Sequence, residues 1–123
     1  MTWHYHRGFV TLSAVNFAPL LAFYTQWLGI EPHVLIPNVY AEFSLPGLTL
    51  GIFRPKASHE SEFAHPGHSS MSLCFEVDNL EAAIAHLHTL GCPPPGEIFP
   101  AKHGREIYAC DPAGNRLILH QSR

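Results

Sequence analysis

Val15-Asn16 recurs as Val77-Asp78, and Leu28-Gly29 recurs as Leu90-Gly91, each 62 residues further along the chain. The first pair closes an alternating stretch and offers a helix N-cap, and the second stops an apolar helix on a glycine. Two helix boundaries matched at one spacing predict a tandem duplication of strand, cap and helix. In residues 8–14, Val10, Leu12 and Ala14 share one face and Phe9, Thr11 and Ser13 the other, the pattern of a half-buried strand. Asn16 stands at the start of the helix that follows, Pro19 suits its first turn, and Leu20, Phe23, Tyr24 and Trp27 form an apolar stripe before Gly29. Three strands are expected next, at about 31–36, 40–45 and 48–53, with turns at Pro37-Asn38 and Pro46-Gly47.

The second half repeats this order. Residues 71–77 alternate, Asp78 or Asn79 caps a helix carrying Ala82, Ala83, Ile84, Leu87 and Leu90, and strands are expected near 97–101, 105–110 and 115–120. Asp111-Pro112-Ala113-Gly114 turns between the last two and corresponds to Leu45-Pro46-Gly47 with a shift of a few residues. Between the halves, residues 54–70 are polar and contain Pro55, Pro66, Gly67, His59, His65 and His68, so they read as a linker or mobile flap. The expected architecture is α+β: one domain over 1–123, with module one at about 7–54, a linker at 55–70 and module two at about 71–121, each module βαβββ.

A chain of 123 residues that is 46% hydrophobic has the material for one core and no room for a second domain. Seven Lys and Arg against a net charge of -3 leave no basic patch, which excludes nucleic acid and an anionic membrane surface as expected partners. No apolar run reaches the ~20 residues that span a bilayer, and residues 1–7 are polar and aromatic where a secretion signal needs an apolar stretch, so a cytoplasmic protein is expected. Cys74, Cys92 and Cys110 are odd in number and far apart, which predicts buried thiols rather than a disulfide framework or a metal clip. Ten histidines make metal binding the sharper hypothesis to weigh. His59, His65 and His68 have the spacing to gather a surface ion, but without a fixed partner they read as a solvated loop.

Residues 9–29, with Phe23-Tyr24 shortly before Leu28-Gly29, resemble the first βα unit of the vicinal oxygen chelate superfamily, which includes glyoxalase I, ring-cleaving dioxygenases and bleomycin-resistance proteins. Phe75-Glu76-Val77-Asp78, then Gly91, then Tyr108 to Asn115 with its Asp-Pro-Ala-Gly-Asn run resemble that family's second half over a span reaching residue 121. The resemblance implies two modules whose mixed sheets curve into a half-open barrel with helices outside and a cleft inside, and a homodimer. Metal-using members take one ligand from each of four strands. Matched by the motif, those positions hold Phe9, Gly51, Ser72 and Ile118, and a one-residue slip reaches only Gly8, Val10, Met71, Leu73, Leu117 and Leu119. No cofactor is therefore expected; a divalent metal suits the family but not these positions.

Strand alternation assigns the cleft face once the helix-packing face is apolar. It selects Phe9, Thr11 and Ser13; Thr49, Gly51 and Phe53; Ser72, Cys74 and Glu76; and Arg116, Ile118 and His120. Tyr108 and His103, near the hairpin before the signature turn, are placed to cover the cleft mouth. A Glu76–Arg116 ion pair is expected across neighbouring strands; left apart, Arg116 would hold an anionic ligand group and Glu76 a cationic one. His120 and Glu76 are the catalytic candidates, His120 as general acid or base. Phe9, Thr11, Thr49, Phe53, Ser72, Cys74, Tyr108 and Arg116 are the ligand-binding candidates. The leading expectation is a metal-independent binder of a small molecule. Two alternatives stand beside it: a lyase, isomerase or dioxygenase whose metal sits on displaced residues such as His120, His103, His68 or Glu76, and a non-catalytic accessory module.

Overall fold

A computed structural model describes residues 3–123 and resolves the duplicated pattern into two four-stranded sheets. In module one, β1 (Val10–Ser13) leads through α1 (Phe17–Leu28) to β2 (Val34–Ile36), β3 (Tyr40–Leu45) and β4 (Leu48–Phe53). In module two, β5 (Leu73–Glu76) leads through α2 (Leu80–Thr89) to β6 (Phe99–Ala101), β7 (Gly104–Cys110) and β8 (Arg116–Ser122). The sheets run β1-β4-β3-β2 and β5-β8-β7-β6, with β1 parallel to β4, β5 parallel to β8 and the other pairs antiparallel. The result is an α+β fold of two mixed sheets with no closed barrel, so the expected α+β architecture of tandem βαβββ modules holds.

Alternation decides which face each strand buries. Ala41, Phe43, Leu50 and Ile52 in module one, and Leu73, Ile107, Ala109, Leu117 and Leu119 in module two, turn towards the helices and are buried. Each large side chain so buried contributes about 1.5–3 kcal/mol relative to exposure. From α1, Phe17, Leu20, Phe23 and Tyr24 supply the facing stripe, and Leu80 and Leu87 do so from α2, in one continuous cluster. The modules are also tied together by α1. Tyr24 donates to Asp111 Oδ2 at 2.6 Å, and Trp27 stands edge-on to Phe75 at 6.2 Å and stacks on His86 at 5.4 Å.

The spacing of 62 holds at the helix stops, but strand and cap are displaced by 63: β1 begins at Val10 and β5 at Leu73, α1 at Phe17 and α2 at Leu80. The cause is that Asn79, not Asp78, caps α2, its side chain accepting from the Ala82 N–H at 2.9 Å. One residue fewer then separates that cap from Gly91, whose φ of 78° ends the helix as Gly29 at 68° ends α1. Asn16 precedes α1 without a side-chain capping bond.

Three further expectations are corrected. β1, β2 and β5 are shorter than the alternating stretches that predicted them. The linker is not a featureless flap, because Ala57–Phe63 and Pro66–His68 form 3-10 turns, Pro55 is buried, and Phe63 packs edge-on against Phe53 at 5.4 Å. Finally, Cys74 and Cys110 are exposed and Cys92 half-buried, since the first two lie on the sheet face turned away from the helices.

Candidate functional site

On the outward face of module one, Thr11 lies opposite Gly51 across the β1–β4 pair, and Glu42 of β3 lies opposite Gly51 from the other side. Glu42 is only 3% exposed yet carries a full set of donors. Arg7 reaches its two oxygens at 3.0 and 3.3 Å, the Tyr40 hydroxyl donates at 2.7 Å, and His33 Nε2 stands 2.7 Å away. The bonds from Arg7 and Tyr40 outweigh burial and hold the carboxyl at about 2, against an ordinary 4.5. Burial, then the Glu42 hydrogen bond, pushes the Tyr40 phenol up. Tyr40 also explains the glycine: a Cβ at position 51 would lie 2.9 Å from its hydroxyl and 3.1 Å from Thr11 Cγ2. Phe9 lies beneath the Arg7 guanidinium, 4.6 Å from ring centroid to Cζ, and Thr49 and Phe53 complete this face.

Module two presents the equivalent face. Glu76 and His120 are cross-strand partners, and His120 Nδ1 stands 2.7 Å from Glu76 Oε1. The other ring nitrogen, Nε2, stands 3.2 Å from the Lys102 carbonyl, and Ser122 donates to Glu76 Oε2 at 3.2 Å. Two acceptors on one ring favour the imidazolium, so His120 is raised above 6.5, chiefly by Glu76, and Glu76 is lowered below 4.5, chiefly by His120. Burial, with the Glu76 and Glu106 charges, pushes the Cys74 thiol up. Tyr108 meets Phe99 edge-on at 5.2 Å and lies opposite Ile118. The expected Glu76–Arg116 ion pair does not form, because each has a nearer partner: Glu76 holds His120, and Arg116 Nε donates to Ser72 Oγ at 2.8 Å.

Between the modules, β1, the start of β5 and the linker turns border a half-open cavity of about 340 Å³. Thr11, Ser72 and Arg116 line it, together with Ser13, Phe63, His65 and Met71. A neighbouring hollow of about 560 Å³ continues past Ser13 and Phe63 to Pro19 of α1 and Pro112. The candidate residues therefore fall into three places: Thr11, Ser72 and Arg116 at the cavity; Phe9, Thr49 and Phe53 on the module-one face; and Cys74, Glu76, Tyr108 and His120 on the module-two face. Sequence reasoning missed Arg7, His33, Tyr40 and Glu42. The alternation Tyr40-Ala41-Glu42 carries the signal, since it places a lone carboxylate on the face shared with Gly51.

Among the described residues no three His, Cys, Asp or Glu side chains converge as a metal-binding group. His59 Nδ1 stands 3.3 Å from Glu62 Oε2, and the His65 and His68 rings stack at 5.5 Å. Likewise among the described residues, no helix is long and apolar enough to cross a membrane.

Residues 7–119 match the family model of the Glyoxalase/Bleomycin resistance protein/Dioxygenase superfamily. The fold is similar to protein ATC0852 from Agrobacterium tumefaciens, with a TM-score of 0.79 at 24% identity over 98% of this chain and 99% of that one. A glyoxalase / bleomycin resistance protein from Catenulispora acidiphila gives 0.69 at 23% identity over 94% and 96%. A glyoxalase-related enzyme from Fulvimarina pelagi gives 0.71 at 19% identity over 96% and 89%. No curated protein matches the chain. With its paired βαβββ modules and a model match covering nearly its whole length, the chain belongs to the glyoxalase/bleomycin resistance protein/dioxygenase superfamily.

Proposed function

We propose that this chain is a small-molecule-binding member of the superfamily that works without the divalent metal used by its catalytic members. The observation that carries the reading is Tyr40 at Gly51. The hydroxyl fills the space a ligand side chain would take there, and the carboxylate beside it, Glu42, is already saturated by Arg7, His33 and Tyr40. Phe9 and Ile118 offer no donor at two of the other three motif positions, and the Ser72 hydroxyl at the third is engaged by Arg116. These residues do not fit a metal ion.

The cavity of about 340 Å³ is within the range that holds a small organic ligand, with Thr11, Ser72 and Arg116 as its polar contacts. Modules one and two act as one binding unit, with the linker forming one wall of the half-open cavity. Phe9, Thr49, Cys74 and Tyr108 lie on outward sheet faces that a second copy of the chain would cover, which makes them ligand contacts of a homodimer. On the module-two face, Glu76 and His120 form a carboxylate–imidazole pair able to exchange a proton with a ligand once Nε2 leaves the Lys102 carbonyl.

Thermal melting of untagged protein tests the reading, with and without a chelator and against a set of aromatic and heterocyclic compounds. A ligand at one hundred times its Kd adds about 2.7 kcal/mol to stability, an easily measured rise in Tm. The expected result is a melt indifferent to chelator and raised by at least one compound that shifts the NMR signals of Thr11 and Ser72. A stoichiometric metal whose removal lowers the Tm would overturn it, as would indifference to every compound.

A further inference from the structure

Three arginines of this chain engage defined partners, and one of them differs from the other two. Arg7 is neutralised by Glu42 at 3.0 and 3.3 Å, and Arg105 by Glu81 at 2.7 and 3.0 Å. Arg116 holds no carboxylate among the described residues. Its Nε donates to Ser72 Oγ at 2.8 Å, and its Nη2 to the backbone carbonyls of Ser69 and Met71, all neutral acceptors. Nη1 makes no hydrogen bond to the described protein. The guanidinium is thus fixed along one edge by the segment from Ser69 to Ser72 that leads into β5, has no counter-ion among the described residues, and retains unspent N–H groups beside the cavity it lines.

The surroundings preserve that charge. Among the described residues, the one carboxylate lining the same cavity, Glu62, has a side chain 63% exposed and stands 3.3 Å from His59. Leu12, Phe63 and Met71 supply an apolar wall, where a charge–charge contact is stronger than in open water.

We propose that this cavity selects small organic anions, a carboxylate on an aromatic or branched apolar body, with the carboxylate on Arg116 Nη1 and the body against Phe63, Leu12 and Met71. The inference rests on the small-molecule reading above and narrows it to one charge class. A carboxylate replaces the missing counter-ion without disturbing Ser72, and the charge-assisted bond it accepts from Nη1 is stronger than a bond to a neutral carbonyl.

Titration of the full chain with benzoate, benzamide and inorganic phosphate, followed by amide NMR, tests the proposal. Benzoate is expected to shift the Ser72, Thr11 and Phe63 signals and to bind at least about tenfold more tightly than benzamide, the worth of one charge-assisted bond. Arg116→Gln removes that preference while benzamide binding persists, and Arg116→Lys, which keeps the charge, retains part of it. Should Arg116→Gln fail to fold, the Lys variant and the wild-type comparison carry the test. Equal binding of benzoate and benzamide would overturn the charge selection and leave the small-molecule reading standing. Phosphate binding as well as benzoate would overturn the apolar half of the claim. No shift at any lining residue with either organic compound would overturn both readings together.

Discussion

Glu42 concentrates more interactions than any other side chain on its sheet face: a carboxylate almost without solvent, four donor atoms from three residues around it, and a glycine opposite. Its folded value of about 2 lies below the ordinary 4.5, so the stability it contributes is complete above pH 4.5 and is lost as pH falls towards 2. Glu42→Gln keeps the volume but turns a donor on Arg7, and is expected to cost about 1–3 kcal/mol at neutral pH. Urea unfolding of both proteins checks this: the gap between them should narrow as pH drops below 4.5, and a gap constant with pH would contradict the assigned charge. Only part of this cluster was legible in the sequence. Parity places Glu42 beside Gly51, but Arg7 and His33 arrive from a terminus and a loop whose paths no local pattern encodes.

At the scale of elements, the helices and strands were the legible part, because apolar period and glycine stops act locally, whereas the 3-10 turns of the linker depend on contacts such as Phe63 with Phe53. The shift from 62 to 63 escaped because Asp78 and Asn79 are both able caps, and only the packed helix chooses Asn79. Cross-strand pairing produces a second pH-dependent contact. Glu106 of β7, Glu76 of β5, Ser122 of β8 and the Lys102 carbonyl surround His120. His120 is raised, so its contribution is present below pH 6.5 and lost as pH climbs through the raised value. Glu76 is lowered, so its contribution is present above 4.5 and lost as pH falls through the lowered value. The difference in Tm between wild type and His120→Gln is therefore expected to be largest between pH 4.5 and 6.5 and to shrink above it. Melting curves across that range decide; a difference that grows towards pH 9 would contradict the pairing.

At the scale of the whole molecule, β2 leaves an open strand edge. Val34, Leu35, Ile36 and the nearby Val39 are 36 to 52% exposed, a run of apolar side chains that a second copy would cover in the proposed homodimer. Sedimentation equilibrium is expected to give twice the 13.7 kDa chain mass, and Leu35→Asp to shift the population to monomer. A monomeric wild type would remove the dimer from the proposed function. The hydrogen bond from Tyr24 to Asp111 has a different consequence, for how the two modules depend on each other. The β1–β4 pairing of module one ends at Phe53, yet the Tyr24 hydroxyl and the Trp27 ring of α1 have their partners, Asp111 and Phe75, further along the chain. A single turn in module two, at Asp111, thereby completes the inner face of a helix in module one, across 87 residues of chain.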